Sequence, residues 1–511
     1  MGCSPEPQVA FAPDPIRSMS CPGRDHAFVQ SRCGRYYPDA SQPAIYISFA
    51  ILTPQRQAAV PAETLSPVMY FSGGPGEGGN TLEAKLDHWR YWLLDAGIKR
   101  PLILWDSRGN EGAWGYFQCN AYRLWALNRL RYPEHAQDDE LLRVNACLEQ
   151  WRSQLGHSGF DQFSAQQSAQ DAIALLLQLG YVQWHFMATS YGSRVAQVAT
   201  AIEPERTQSL LLDSPYSWAI DSRAAHGKRW RASFKAVLAW CQAREDCHQG
   251  ELVESLFWRA ISALDGSAIN VRFRFEGYHH QASIDANSFA HILFSAFYRA
   301  DTLNAEGAIN TDVRQYGQLV PLLKQVIKGE AQLLQDLAAP VLKQSYSSAA
   351  NPWLYWLTEC NDNHVLSIED YRASIKGLGG WARFLAPDMS LLICLQEGVV
   401  AKHQRVNLTG TQVAAPTVIL VGELDPVVAR EDVNAIADSL RSGVVVGGRG
   451  KGHGLLAEDV CEATWLPLFW SAPSAFVGGW KAKLDASPNA EPAGISFPGL
   501  RASDSPCELL R

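Results

Sequence analysis

The sequence predicts an α/β fold in which a mainly parallel sheet with flanking helices is interrupted by a mostly helical cap. Apolar runs alternate with helical patterns from residue 44 to residue 213, which is the βαβ rhythm of a parallel sheet. The rhythm is lost over residues 216–404, where helical patterns rich in Trp, Leu and Ala dominate. It resumes at residues 416–421 and 443–446. We therefore expect the middle segment to cover the carboxyl ends of the strands.

Each predicted element is an apolar run or an amphipathic pattern bounded by turn-forming or acidic residues. In chain order these are strands at 44–52, 67–71 and 101–105, a helix at 171–179, a strand through His185, a helix at 195–202, and strands at 210–212, 416–421 and 443–446. An alternating patch at residues 269–284 is compatible with a hairpin inside the cap.

Five segments follow from this pattern. They are a flexible N-terminal tether (1–20), the first part of the sheet domain (21–215), the cap (216–404), the second part of the sheet domain (405–470) and a C-terminal extension (471–511) rich in Gly, Pro and Ala.

Composition excludes several functional classes. The 511 residues are 47% hydrophobic and 19% charged, so the chain can bury a large core. Lys and Arg total 44 against 52 Asp and Glu, and no dense basic run occurs, so nucleic acid is not an expected partner. No stretch approaches the ~20 apolar residues that span a bilayer, and we expect a monomer without a membrane span.

The eleven cysteines favour an oxidising compartment, because disulfides persist in exported proteins. Ten of them form neighbouring couples, and the predicted disulfides are Cys21–Cys33, Cys119–Cys147, Cys241–Cys247, Cys360–Cys394 and Cys461–Cys507. Buried free cysteines are the alternative. Metal binding is not expected, since neither Cys-x-x-Cys nor His-Glu-x-x-His spacing occurs.

Cys3 is the cysteine without a partner. Gly2, Cys3 and Ser4 precede a Pro-rich stretch, which resembles the end of a bacterial lipoprotein signal. In that interpretation Cys3 carries a lipid anchor, and the protein is exported to the periplasm, the cell envelope or the extracellular space. The alternative is an ordinary disordered terminus with a spare thiol.

Ser190 is the candidate nucleophile. It lies in Met-Ala-Thr-Ser-Tyr-Gly-Ser, between a predicted strand and a predicted helix. A nucleophile on such a sharp turn needs small residues on both sides. Gly192 meets this requirement, and Ala188 stands where the motif usually has Gly. The alternative is that Ser190 only caps the helix.

Asp425 and His453 complete a candidate triad. Asp425 follows a predicted strand, His453 lies in a Gly-rich loop after another, and the order Ser, acid, His is that of the α/β-hydrolase fold. His453 would accept the proton of Ser190, and Asp425 would fix the imidazole tautomer. Glu423 and Asp432 are competing acids, which could equally be solvated loop residues.

Other histidines have weaker claims. His185 is expected to be a core-strand residue, and His403 has no motif around it.

An oxyanion hole is predicted from the glycine-rich run at residues 72–76 (SGGPG). The backbone N–H groups of Gly74 and Tyr191 are the expected donors. A flexible or phosphate-binding turn is the alternative, but the Lys and Ser/Thr of a P-loop are absent from this run.

Five ordered landmarks resemble the tripeptidyl and prolyl aminopeptidase family of α/β-hydrolases, over about residues 21–470. They are residues 73–76 (GGPG), 106–109 (DSRG), 190–192 (SYG), 422–426 (GELDP) and 452–454 (GHG). The resemblance implies a peptide substrate with a free N-terminus and no metal or other cofactor. Ser72 and Ala188 depart from the family pattern, which has His and Gly there.

The resemblance also implies a carboxylate in the cap that binds the substrate ammonium. Asp362 is the first candidate and Glu359 the second, because both lie beside Cys360 in a stretch similar to that of the exported branch. Two acids on a helix end are the alternative. Arg108 is expected to brace the loops around the oxyanion hole.

Three functional hypotheses remain open. They are a serine aminopeptidase, a carboxylesterase or lipase-like hydrolase of the same fold, and a non-catalytic envelope protein that retains the fold.

Overall fold

Ten strands form one central sheet in the computed structural model of the chain. The structure describes residues 15–39, 41–55, 65–131, 137–156, 159–298, 318–347, 351–363, 367–385, 389–397, 413–448, 451–456, 465–485 and 502–503. The sheet strands are β1 (Ile16–Met19), β2 (Val29–Tyr36), β3 (Ile47–Pro54), β4 (Val68–Phe71), β5 (Leu102–Asp106), β6 (Trp184–Thr189), β7 (Thr207–Asp213), β10 (Thr417–Gly422), β11 (Gly443–Gly448) and β12 (Ala502–Ser503).

The sheet is mainly parallel, in the order β1-β2-β3-β5-β4-β6-β7-β10-β11-β12. Strands β1, β2 and β3 run antiparallel to their neighbours, and every pair from β5 to β12 is parallel. This arrangement and the strand-turn-helix unit at Ser190 identify an α/β-hydrolase fold, as predicted. The carboxyl ends of the parallel strands therefore meet along one edge.

The helices between and after the strands have the following bounds. They are α1 (Glu83–Asp95), α2 (Asn120–Arg129), α3 (Gln137–Leu155), α4 (Ala165–Gln178), α5 (Gly192–Ile202), α6 (Ser222–Gln242), α7 (Glu245–His248), α8 (Val253–Gly266), α9 (Ala286–Tyr298), α10 (Leu319–Lys328), α11 (Gln332–Ser345), α12 (Pro352–Asp362), α13 (Ile368–Ile375), α14 (Met389–Glu397), α15 (Arg430–Ala437), α16 (Leu466–Ser471) and α17 (Pro473–Asp485).

Helices cover both faces of the sheet. One apolar core joins the strands to α4, α5 and α15, and a second joins the opposite face to α1, α16 and α17. The central strands are buried on both sides: every residue of β3, β5 and β10 is buried. Continuous apolar runs are typical of parallel strands covered in this way.

The chain leaves the sheet after β7 and returns at β10. The intervening helices α6 to α14 and the hairpin of β8 (Ile269–Phe275) and β9 (Tyr278–Ile284) occupy the segment predicted as the cap. Residues of α6, α8, α9, α10 and α11 share a separate apolar core. The predicted hairpin is confirmed by its antiparallel register.

Both ends of the described chain join the sheet. Ile16 pairs with Tyr36 in β2, so residues 16–19 are an edge strand and not part of a tether. The predicted tether is therefore corrected at these residues. A strand of four residues has too few alternating apolar and polar positions to be recognised in the sequence. Ala502 pairs with Gly447 in β11.

Four of the predicted disulfides are present. They are Cys21–Cys33, Cys119–Cys147, Cys241–Cys247 and Cys360–Cys394. Cys3 and the predicted Cys461–Cys507 pair lie outside the described residues. Four disulfides are compatible with an exported protein. Within the described ranges no helix is both long and apolar enough to cross a membrane.

Candidate active site

Ser190 occupies a strained turn between β6 and α5. Its φ is +53°, a left-handed conformation that is uncommon for a residue other than glycine. The turn is fixed because the Ser190 N–H donates to the carbonyl of Asp213, at 2.9 Å. A Cβ on Gly192 would lie 2.3 Å from the carbonyl oxygen of Phe71, so only glycine fits there. The nucleophile is thereby held at the carboxyl end of the sheet.

His453 and Asp425 form a buried pair. Asp425 follows β10, and its carboxylate oxygens lie 2.8 and 3.0 Å from Nδ1 of His453. The same carboxylate accepts the backbone N–H groups of Val427 and Val428, both at 2.9 Å. These bonds orient the carboxylate, which in turn fixes the imidazole with its other nitrogen, Nε2, as the proton acceptor.

The charge of Asp425 controls the basicity of His453. Burial alone lowers the pKa of His453, but the charge and hydrogen bond of Asp425 outweigh burial and hold that pKa above its ordinary value. Neither Nε2 of His453 nor Oγ of Ser190 has a hydrogen-bond partner of normal geometry within the described residues. Catalytic hydrogen bonds are often long in structures without substrate and tighten on binding.

Asp213 and Ser214 hold the loop that carries His453. The carboxylate of Asp213 accepts the N–H groups of Leu455 and Leu456, both at 2.9 Å, and Ser214 Oγ accepts that of Gly454 at 2.8 Å. Burial raises the pKa of Asp213 to about 6. Neither role was predicted from the sequence, although a polar pair at the end of a buried strand was the available signal.

The glycine-rich loop lies against the nucleophile. A Cβ on Gly73 would be 3.2 Å from Cβ of Ser190, and Gly74 lines the same cavity as Ser190. Ser72, which stands where the family pattern has His, donates through Oγ to the carbonyl of Glu77 at 2.8 Å. The roles of the Gly74 and Tyr191 amides as oxyanion donors remain predictions.

The cavity at Ser190 has a volume of about 260 Å³ and lies between the sheet and the cap. Its lining is aromatic and polar, and comprises Gly74, Ser190, Tyr216, Ser222, Arg223, His226, Arg229, Trp230, Phe294, Tyr298, Tyr355, Glu359, Pro426 and Val427. Small-molecule sites commonly combine an apolar wall with a few fixed polar groups.

Glu359 is the carboxylate among these lining residues. It lies on α12 and is 8% exposed. Its Oε2 accepts hydrogen bonds from Ser222 Oγ at 2.9 Å and from Asn363 Nδ2 at 2.8 Å. These two bonds fix the carboxylate at the cavity wall.

Asp362 has a different role from the one predicted. It is 1% exposed and does not line the cavity. Its carboxylate accepts the N–H of Ala165, at the start of α4, at 3.0 Å and the hydroxyl of Tyr191 at 2.8 Å. Burial raises its pKa to about 6. Asp362 therefore connects the cap to the residue after the nucleophile and is not among the residues that line the cavity at Ser190.

The other candidate residues are structural. Arg108 forms two hydrogen bonds to Asp171, at 2.6 and 2.8 Å, which supports the predicted bracing role. Asp432 pairs with Arg229 and does not contact His453.

His185 bonds to Ser209 Oγ at 2.8 Å, and burial lowers its pKa to about 3. It is therefore a neutral core-strand histidine. Glu423 is not the acid that contacts His453, and His403 lies outside the described residues.

No protein-family model and no curated protein matches the chain. Among solved structures, a proline iminopeptidase from Mycobacterium smegmatis is similar at 12% identity, with 85% of this chain and 95% of that one covered and a TM-score of 0.36. A 2-hydroxy-6-oxo-6-phenylhexa-2,4-dienoate hydrolase from Rhodococcus sp. strain RHA1 is similar at 10% identity, with 88% and 98% covered and a TM-score of 0.35. Similarities this low carry no argument about function, which has to come from the site itself.

Proposed function

We propose that the protein is a serine hydrolase, and that it is an aminopeptidase releasing residues or short peptides from free N-termini. The observation that carries the proposal is the combination of a Ser190 turn with a buried His453–Asp425 pair, opening into a cavity walled by one carboxylate, Glu359. The first part supports acyl transfer, and the second supports recognition of a cation.

The reaction follows from the geometry of the triad. Ser190 Oγ attacks the substrate carbonyl carbon while His453 Nε2 takes the hydroxyl proton, and the carbonyl π electrons move to oxygen. Gly74 and Tyr191 would donate N–H groups to that oxygen. The carbonyl then re-forms as the C–N bond breaks, and His453 gives its proton to the leaving amine. Water next attacks the carbonyl carbon of the acyl-enzyme while His453 takes a proton from it, and this proton returns to Ser190 Oγ as the C–O bond to Ser190 breaks.

Glu359 supports selectivity for a free amine. Within the described residues, the side-chain hydrogen bonds that Glu359 accepts end at Oε2, which makes Oε1 the candidate acceptor for a substrate ammonium. A carboxylate in a partly dry site attracts an ammonium group, although the same cavity wall carries Arg223 and Arg229, which repel a cation at short range. This assigns to Glu359 the role that the sequence analysis gave first to Asp362.

An esterase of the same fold is the second candidate. The aromatic part of the cavity wall, which includes Trp230 and Phe294, favours it, because an apolar acyl group would bury well there. The two candidates differ in whether the substrate amine contributes to binding.

The test compares wild type with Ser190→Ala on peptide amides with a free or an acetylated N-terminus, and on a p-nitrophenyl ester. We expect Ser190-dependent cleavage of peptide amides with a free N-terminus but not of the acetylated ones, together with slow Ser190-dependent turnover of the ester. Cleavage of the ester without any preference for a free amine would favour the esterase. Absence of turnover on every substrate would contradict both.

Glu359→Gln separates recognition from catalysis, with Glu140→Gln as the matched control, since Glu140 pairs with Arg129 and does not line this cavity. We expect KM for free-amine substrates to rise by about tenfold or more, since a charged hydrogen bond contributes about 1.5–3 kcal/mol. Ester turnover should stay unchanged. An equal loss on both substrate classes would refute amine recognition by Glu359.

We further propose that the protein acts outside the cytoplasm, which the four disulfides support. Fractionation of the native host, with Cys3→Ala compared for membrane association, tests both export and the predicted lipid anchor.

A further inference from the structure

Tyr298, the last residue of the cap helix α9, contacts the catalytic histidine in two ways. Its ring centroid lies 4.4 Å from that of His453, with 42° between the ring planes. Its backbone carbonyl accepts the N–H of His453 at 3.1 Å. The residue also lines the cavity together with Ser190 and Gly74. A cap residue therefore helps to position a catalytic residue that the sheet domain carries.

The side chain of Tyr298 lies beside that of the nucleophile in the lining of this cavity. It lies close enough to Ser190 for the two side chains to interact, although Ser190 Oγ has no hydrogen bond of normal geometry within the described residues. Burial first, and then the nearby carboxylates of Glu77 and Asp425, raise the pKa of Tyr298, so its hydroxyl stays protonated. A protonated phenol beside the reacting serine is a hydrogen-bond donor.

During acyl transfer at Ser190, negative charge develops on the former carbonyl oxygen of the substrate, close to this hydroxyl. When Ser190 Oγ bonds to the substrate carbonyl carbon, the Ser190 proton passes to His453 and the carbonyl electrons move to oxygen. The Tyr298 proton stays on its own oxygen throughout. A donor already in place stabilises the oxygen atoms of the tetrahedral centre without reorganisation.

We propose that Tyr298 is a further catalytic residue of this site, whose hydroxyl donates a hydrogen bond to the tetrahedral centre at Ser190 while its ring and carbonyl hold His453. The inference rests on the proposed serine hydrolase chemistry but not on the choice between peptide and ester. It also means that the catalytic centre is complete only when α9 is in place.

Tyr298→Phe tests the hydroxyl alone, because the variant keeps the ring and the backbone carbonyl. The two readouts are the rate at which a fluorophosphonate labels Ser190, and kcat and KM on a p-nitrophenyl ester. We expect both the labelling rate and kcat to fall by about 100- to 1,000-fold, as for loss of one preorganised donor, with KM within about twofold. Tyr371→Phe is the matched control, since Tyr371 is a buried cap tyrosine outside the cavity.

Tyr298→Ala adds the loss of the ring. We expect a further fall in kcat and a displaced acid limb of the pH–rate profile, because the ring covers the imidazole of His453. The role of Tyr298 alone would be refuted if the fluorophosphonate labels wild type and the Tyr298→Phe variant keeps a labelling rate and a kcat within about twofold of the wild-type values. A wild-type protein that is not labelled, like Ser190→Ala, would overturn the proposed function as well.

Discussion

Removing the Asp362 carboxylate tests whether the cap holds the residue after the nucleophile. In Asp362→Ala the N–H of Ala165 and the hydroxyl of Tyr191 both lose their acceptor in a buried site. Each orphaned buried donor costs about 1–3 kcal/mol. Relief of the buried charge, which is evident from the pKa of about 6 for Asp362, offsets part of that loss. We therefore expect a net destabilisation of roughly 3 kcal/mol.

A double-mutant cycle with Tyr191→Phe isolates the hydrogen bond between the two side chains. Tyr191→Phe removes the hydroxyl that Asp362→Ala leaves without an acceptor. The double variant should therefore lose less stability than the sum of the single variants, by about 2 kcal/mol. Urea unfolding followed by tryptophan fluorescence measures each term, with the transition slopes compared to verify that the unfolding process is the same.

The catalytic readout of the cycle distinguishes positioning from substrate binding. Displacement of the Tyr191 N–H by about 1 Å costs up to about 100-fold in rate, so Asp362→Ala should lower kcat with KM nearly unchanged. A coupling energy below about 0.5 kcal/mol would refute the link between the cap and the Ser190 turn. A rise in KM confined to free-amine substrates would instead restore Asp362 as the amine anchor.

Three further predictions concern the turn, the triad and the cap. Gly192→Ala should abolish Ser190 labelling, because the added Cβ would meet a backbone carbonyl at 2.3 Å; labelling at the wild-type rate would contradict the close approach. Activity should rise with pH through the pKa of His453, since the neutral imidazole is the base. Asp425→Asn should lower kcat by about 10⁴-fold and move that midpoint to lower pH, which a pH–rate profile measures. Replacing both Cys360 and Cys394 with Ser should lower the free energy of unfolding by about 4 kcal/mol, because the lost disulfide closes a loop of 34 residues. A double variant with the same urea unfolding midpoint as wild type would contradict a stabilising role for this disulfide.

The candidate triad could be predicted from the sequence because each of its three residues lies in a recognisable local pattern. Ser190 stands between an apolar run and a helix, and Asp425 and His453 follow strands, so chain order alone suggested that they meet. The structure brings Asp425 and His453 into contact and places Ser190 in the adjoining cavity. The βαβ rhythm likewise sufficed for the parallel strands, whose apolar runs are buried on both faces.

The cap residues could not be ranked in the same way. Glu359 and Asp362 are three positions apart on α12, yet one lines the cavity and the other binds the Tyr191 hydroxyl. Which carboxylate faces the substrate depends on how α12 packs on the sheet domain, and no local pattern records that packing. Tyr298 is the last residue of an apolar helix and lies in no known motif. Its contact with His453 could therefore not be predicted from the sequence.

Under the proposed function, three cap contacts connect substrate recognition with catalysis. Glu359 lines the cavity, Asp362 holds Tyr191, and Tyr298 covers His453. A cap that only selected substrates would change KM when its packing was weakened and leave the labelling of Ser190 by a small phosphonate unaffected. Because two of the three contacts reach the catalytic residues themselves, loosening the cap should slow labelling even by a probe that makes no contact with Glu359. If the proposed function holds, the cap is a part of the catalytic machinery as well as a filter for substrates.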